Sequence, residues 1–173
     1  MPLHSASRQF LAFLRDHPEL RALIQAPPGR SIFYAGSFGR SAWEELLELK
    51  GRYPEVARKT TLADALSRID LPGTPFGSLL AYAQEVERRV PQRPDAFILW
   101  RALSGIYAMN AVGKVSFQIG SGMTAMGRVF ATTELGILLR NPLVDEVSKD
   151  LMAYYDRCIR RGEDLVNVGF VSS

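Results

Sequence analysis

The sequence predicts an α+β domain. In this reading a helical N-terminal half, residues 1–93, packs on a small, mainly parallel β-sheet built by residues 94–173 with flanking helices. Three observations carry the prediction. Apolar residues recur at helical spacing through most of the chain. Short β-branched and aromatic runs, "SIFYAG", "VSFQI" and "LVNVGFV", are separated by those helical stretches, a grammar that favours parallel pairing. A chain of 173 residues that is 47% hydrophobic is long enough to bury one core.

Taken in order, Phe10, Leu11, Phe13, Leu14, Leu20, Leu23 and Ile24 mark a helical stretch from Ser5 to Gln25, interrupted around Pro18 and ended by "APPGR". Ser31–Gly36 is a short β-branched and aromatic run closed by glycine, and Trp43, Leu46, Leu47 and Leu49 then have helical spacing, so the stretch reads as a strand, a turn and a helix or as one continuous bent helical entry. Thr60 or Thr61 can cap a short helix carrying Leu62, Leu66 and Ile69, stopped by Pro72-Gly73. "FGSLLAYAQEVERRV" is a further amphipathic helix, and "VPQRPDA" after it is the expected seam between the halves. Beyond the seam come a helix over Ala96–Ala111, a strand over Val115–Ile119, a mixed segment over Val129–Leu139, a helix over Val144–Arg160 and the final strand.

The 21 basic and 18 acidic residues are spread along the chain without a basic arm, so charge does not favour a nucleic-acid partner. Cys158 is the only cysteine, which excludes an intrachain disulfide and suits a reducing compartment. No apolar run reaches the roughly 18 residues of a membrane span. The N-terminal segment reads as an amphipathic helix rather than a secretory signal. His4 and His17 have no ligand cluster around them, so no metal is expected.

Few motifs carry chemistry. "GSGMTAMG" (Gly120–Gly127) lacks the Lys-Ser/Thr ending of a phosphate-binding loop, and Cys158 sits in a helix without a base partner. Glu134 interrupts "RVFATTELGILL", where a buried charge would be costly without a purpose; an exposed strand-edge position is the alternative. Trp100 and Ser104 are four residues apart and share one helical face, either as two parts of a cleft wall or as a core anchor and a close-packing residue. Tyr34, beside a glycine and hydroxyls, has the same two readings, ring-stacking or core.

These residues stand in an order that resembles the ADP-ribosyl cyclase family, the cyclic ADP-ribose hydrolases or NAD glycohydrolases. That family's core runs aromatic-Ser-Arg, "TLEDTL", "FW" four residues ahead of a Ser, a strand ending in "NGS", and a Phe four residues before the catalytic Glu. The counterparts here are "YAGSFGR" with Tyr34, Ser37 and Arg40, "TLADAL" at Thr61–Leu66, "LWRALS" with Trp100 and Ser104, "VSFQIGSG", and "FATTE" from Phe130 to Glu134. The ordered set extends over about Ser31–Val171. The resemblance implies that NAD is the substrate, with no bound cofactor, and that nicotinamide is released with ADP-ribose and some cyclic ADP-ribose. Glu134 would be the catalytic carboxylate with Trp100 beside it; Trp100 and Tyr34 would stack on nicotinamide and ribose. Ser37, Arg40 and Ser104 would meet the phosphates, and Asp64 and Phe130 would complete the substrate pocket. Ala63 stands where the family has the Glu that governs cyclisation against hydrolysis, Tyr34 replaces a tryptophan, and the disulfides of the animal enzymes have no counterpart.

The resemblance, with the compact cysteine-poor chain, implies a bacterial-style toxin domain. It would be delivered as the C-terminal part of a larger secreted protein, act in the cytoplasm of a target cell, and be held in check by a cognate immunity protein plugging the cleft. Two other classes compete with this reading. An RNA-cleaving toxin is permitted by an isoelectric point near 9.2, but the body of the chain has no histidine to act as general base. In a non-catalytic interaction module, Trp100 and Glu134 would be ordinary packing and surface residues.

Overall fold

Pro18 cannot supply the amide that a continuous helix would need, and the first amphipathic run is accordingly two helices, α1 (Ser5–Asp16) and α2 (Pro18–Leu23). The computed structural model describes residues 5–35, 42–69, 76–88, 98–119, 133–160 and 170–172. Strand β1 (Ser31–Ala35) follows, then helices α3 (Ala42–Arg52), α4 (Pro54–Ala57), α5 (Leu62–Ser67), α6 (Phe76–Arg88) and α7 (Ile98–Met109), strand β2 (Val115–Ile119), helices α8 (Leu135–Arg140) and α9 (Glu146–Arg160), and strand β3 (Phe170–Ser172). The α+β class is thus observed, with helix predominating.

The sheet differs from expectation in two respects. Its order is β1-β2-β3, with β1 parallel to β2 (Ser31 opposite Val115, Ala35 opposite Ile119) and β2 antiparallel to β3 (Phe117 opposite Val171), so it is mixed. It also draws β1 from the first half of the chain, so the sheet is not confined to residues 94–173. Burial explains this: Ile32 and Phe33 of β1 and Val115 and Phe117 of β2 are almost wholly removed from water, and pairing satisfies their backbones.

Two glycine turns align these strands. Gly29 and Gly113, immediately ahead of β1 and β2, have φ near +75° and +76°, a region that side chains with a Cβ rarely adopt. The Gly29 amide donates to the Val112 carbonyl at 2.8 Å, and a Cβ on Gly113 would lie 3.5 Å from the Gly29 nitrogen. The strands therefore start side by side.

Under the sheet lies one continuous core that includes Phe10 and Leu14 of α1, Phe76 of α6, Leu99, Leu103 and Tyr107 of α7, and Leu135 and Leu138 of α8. Phe10 meets Phe76 edge-on with ring centres 5.4 Å apart. Each such fully buried side chain contributes roughly 1.5–3 kcal/mol against exposure. Helix α7 is the axis of this core: α1, α5, α6 and α8 all pack on it.

The second half of the chain sharpens three expectations. The helix expected to reach Ala111 ends as α7 at Met109, where Asn141 gathers its carbonyls. The helix expected from Val144 begins at Glu146, because Asp145 accepts the Ser148 amide at 2.8 Å and caps it. The described part of the mixed segment is helical: a π-helical turn at Thr133 and Glu134 leads into α8.

Candidate functional site

Helix α7 carries Trp100, Ser104 and Tyr107 at intervals of four and three residues, hence on one stripe. Trp100 is half-buried against the core, whereas Ser104 and Tyr107 are buried. α8 packs close on Gly105, where a Cβ would stand 3.4 Å from Ile137 Cδ1 and 3.8 Å from Thr133 Cγ2, ordinary contact distances. That approach brings Glu134, only 7% exposed, against Ser104, 5% exposed, and the two side chains are hydrogen-bonded.

The strand-edge alternative for Glu134 is thereby overturned, since the residue is buried at a helix start. Burial pushes its carboxyl up to about 8, opposed only by the hydrogen bond from the Ser104 hydroxyl. At neutral pH the group is therefore mostly protonated. A cation brought beside it would favour the ionised form, so the site can couple binding of positive charge to release of a proton. The π-helical turn at Glu134 is a local irregularity of the kind frequent at functional sites.

Tyr107 ties this corner to the sheet. Its hydroxyl donates to the Thr60 carbonyl, which also accepts the Ile32 amide at 3.1 Å, and its ring lies 5.1 Å from that of Phe33. Burial raises the phenol well above its usual range, and the charges of Glu134 and then Asp64 add to the effect. Asp64 is consequently within electrostatic reach of the same corner. Its carboxylate is also spent on structure: it accepts the Thr61 amide at 3.0 Å, closing a capping box on α5, and Lys50 Nζ at 3.1 Å. Burial alone would raise its pKa, but those hydrogen bonds and the lysine hold it below the ordinary value.

Of the residues singled out from sequence, Ser104 and Glu134 meet where α7 packs on α8, Trp100 lies one turn from Ser104 on the same face of α7, and Asp64 is linked to this corner through Tyr107. Tyr34 lies in β1 with its backbone opposite Gln118. The Tyr34 side chain and residues Ser37, Arg40 and Phe130 lie outside the described residues, as do "GSGMTAMG" and His4. Ser104, for which the resemblance implies a phosphate contact, is hydrogen-bonded to Glu134. Sequence reasoning missed Tyr107, although its spacing of three from Ser104 was available.

A second residue was missed. Arg101, next to Trp100, has a buried Nε with no hydrogen-bond partner among the described residues. A cavity of about 310 Å³ lined by Met109, Ile137, Arg140, Asn141 and Pro142 opens at the other end of α8 and is not part of this corner. Among the described residues no cluster of His, Cys, Asp and Glu is placed to hold a metal ion, and no helix is long and apolar enough to cross a membrane. Compared with known protein families, with curated proteins and with solved structures, the chain matches none.

Proposed function

We propose that this chain is an NAD glycohydrolase. The observation that carries the reading is the buried Glu134 carboxyl held by Ser104 one helical turn from Trp100. Cleaving the nicotinamide–ribose bond asks little of a protein beyond a placed anion. The pyridinium leaves with the bonding electron pair and departs neutral, so no general acid is required, while positive charge develops at the ribose C1′. A carboxylate in a dry corner stabilises that charge more strongly than one in water.

The raised pKa of Glu134 fits this role through the substrate's own charge. Entry of the cationic nicotinamide ring draws off the Glu134 proton, and the resulting carboxylate faces the developing oxocarbenium ion. Trp100 supplies an aromatic face for the ring. Water then adds at C1′ and loses a proton, giving ADP-ribose; attack by the adenine ring instead gives the cyclic product. On this reading the protein is a toxin domain acting in the cytoplasm of a target cell, and its immunity protein occludes the Trp100–Glu134 corner.

Incubation of the purified chain with NAD, followed by chromatographic separation of products, tests the reading. Free nicotinamide with ADP-ribose, lost in Glu134→Gln, is the expected result. Intact NAD over a folded protein overturns it, and degradation of RNA without loss of NAD replaces it with the nuclease class.

A further inference from the structure

The position of Arg101 on α7 can be read from its neighbours. Gly105, one turn further on, faces Thr133 and Ile137, and the Ala108 carbonyl, nearly another turn on, is held at 3.0 Å by Asn141 just beyond α8. The two helices therefore run side by side in the same direction. Arg101 lies on the α8-facing stripe one turn before Gly105, at the end of the helix pair where Glu134 stands, and three residues from Ser104.

Arg101 is half-buried, and its Nε is shut off from water without an acceptor among the described residues. A guanidinium N–H in that state is costly, and native proteins leave few of them; Ser31 Oγ is the other buried side-chain atom without a partner among the described residues, but it carries no charge. The nearby acid is not the missing partner: Glu134 responds to burial and to Ser104, and no basic side chain acts on it. An oxyanion brought by a ligand would supply that acceptor. We propose that Arg101 is the anion anchor of this site, its guanidinium receiving a phosphate oxygen of the dinucleotide diphosphate while the nicotinamide end lies against Trp100. The identity of the ligand rests on the NAD reading above; the fit of an oxyanion to Arg101 does not. The planar guanidinium matches two phosphate oxygens at once, which a lysine ammonium cannot do.

Calorimetric titration with inorganic pyrophosphate, on the wild type, Arg101→Lys and Arg101→Gln, tests the anchor directly, alongside steady-state NAD cleavage by the same three proteins. The expected result is saturable pyrophosphate binding that weakens about tenfold or more in Arg101→Gln and less in Arg101→Lys. The KM for NAD should rise by a similar factor with kcat changed little, the signature of lost ground-state binding. Thermal melts show that each variant is folded, and Arg101→Lys retains the charge should Arg101→Gln not fold. Pyrophosphate binding that is absent, or equal in all three folded proteins, overturns the anchor. NAD cleavage with an unchanged KM in Arg101→Gln overturns it while leaving the glycohydrolase reading intact. Arg101-dependent pyrophosphate binding by a wild type that leaves NAD whole upholds the anion anchor and removes the dinucleotide.

Discussion

The two ends of the α7–α8 pair treat buried polar groups in opposite ways. At the C-terminal end, Asn141 donates to the carbonyls of Ala108, Met109 and Ala111 at 2.9–3.2 Å and accepts the Leu143 amide at 2.9 Å. Asn110 in turn caps α2 through the carbonyls of Arg21 and Ile24. Every polar atom of the Asn141 side chain is used for the fold. At the N-terminal end, Glu134 is buried with the Ser104 hydroxyl as support, and Arg101 Nε has no acceptor among the described residues. Such incompletely satisfied groups cost stability, and on the proposed reading a ligand completes this end.

The sharpest way to break the contrast is Glu134→Gln. If the N-terminal end serves chemistry, NAD turnover should fall by roughly 10²–10³ or more while the fold is retained, as measured by product chromatography and thermal melting. The pH dependence of stability comes next. Glu134 has a folded-state pKa near 8 against an ordinary value of 4.5, so the folded protein binds the extra proton between those values. Its contribution is present below about pH 4.5 and is lost as pH rises towards 8, by about 5 kcal/mol at most. The Tm of the wild type should therefore fall relative to that of Glu134→Gln over this window. A constant difference between the two proteins would contradict a buried, protonated acid.

Asn141→Ala attacks the opposite end. Removing the amide strands several buried carbonyls at once, for a loss of about 2–3 kcal/mol and a Tm lower by roughly 5–10 °C, with kcat for NAD changed little. Ser104→Ala sharpens the functional end. The hydroxyl holds the Glu134 pKa down, so its loss raises that pKa further. The alkaline-rising limb of kcat/KM, which reports ionisation of Glu134 in the free enzyme, should move to higher pH. The smallest effect is expected for Gly105→Ala. A Cβ 3.4 Å from the mobile Ile137 Cδ1 needs only slight adjustment, and alanine favours the helix, so denaturant unfolding should show a change within about 1 kcal/mol.

Strand Val115–Ile119 was legible because a short β-branched run between turn residues has few other uses, whereas Ser31–Ala35 also allowed a bent helical entry until its pairing with β2 decided it. The break at Pro18 and the Thr61 cap were legible for equally local reasons. Glu134 was harder. The run "RVFATTELGILL" has no clean period, and only contact with α7 shows that Glu134 starts a helix and is buried. The Asn141 cap joins carbonyls about 30 residues away, a relation with no sequence signature.

The sequence by itself determined the local elements, since helical spacing, proline and glycine act over a few residues. It also put Trp100 and Ser104 on one face, which helical geometry alone requires. Only the tertiary structure decided that β1 joins a sheet with the second half, that Ser104 holds Glu134, and that Arg101 Nε is buried without an acceptor among the described residues. Burial and pKa depend on what surrounds a group in three dimensions, and those surroundings come from segments far apart in the chain.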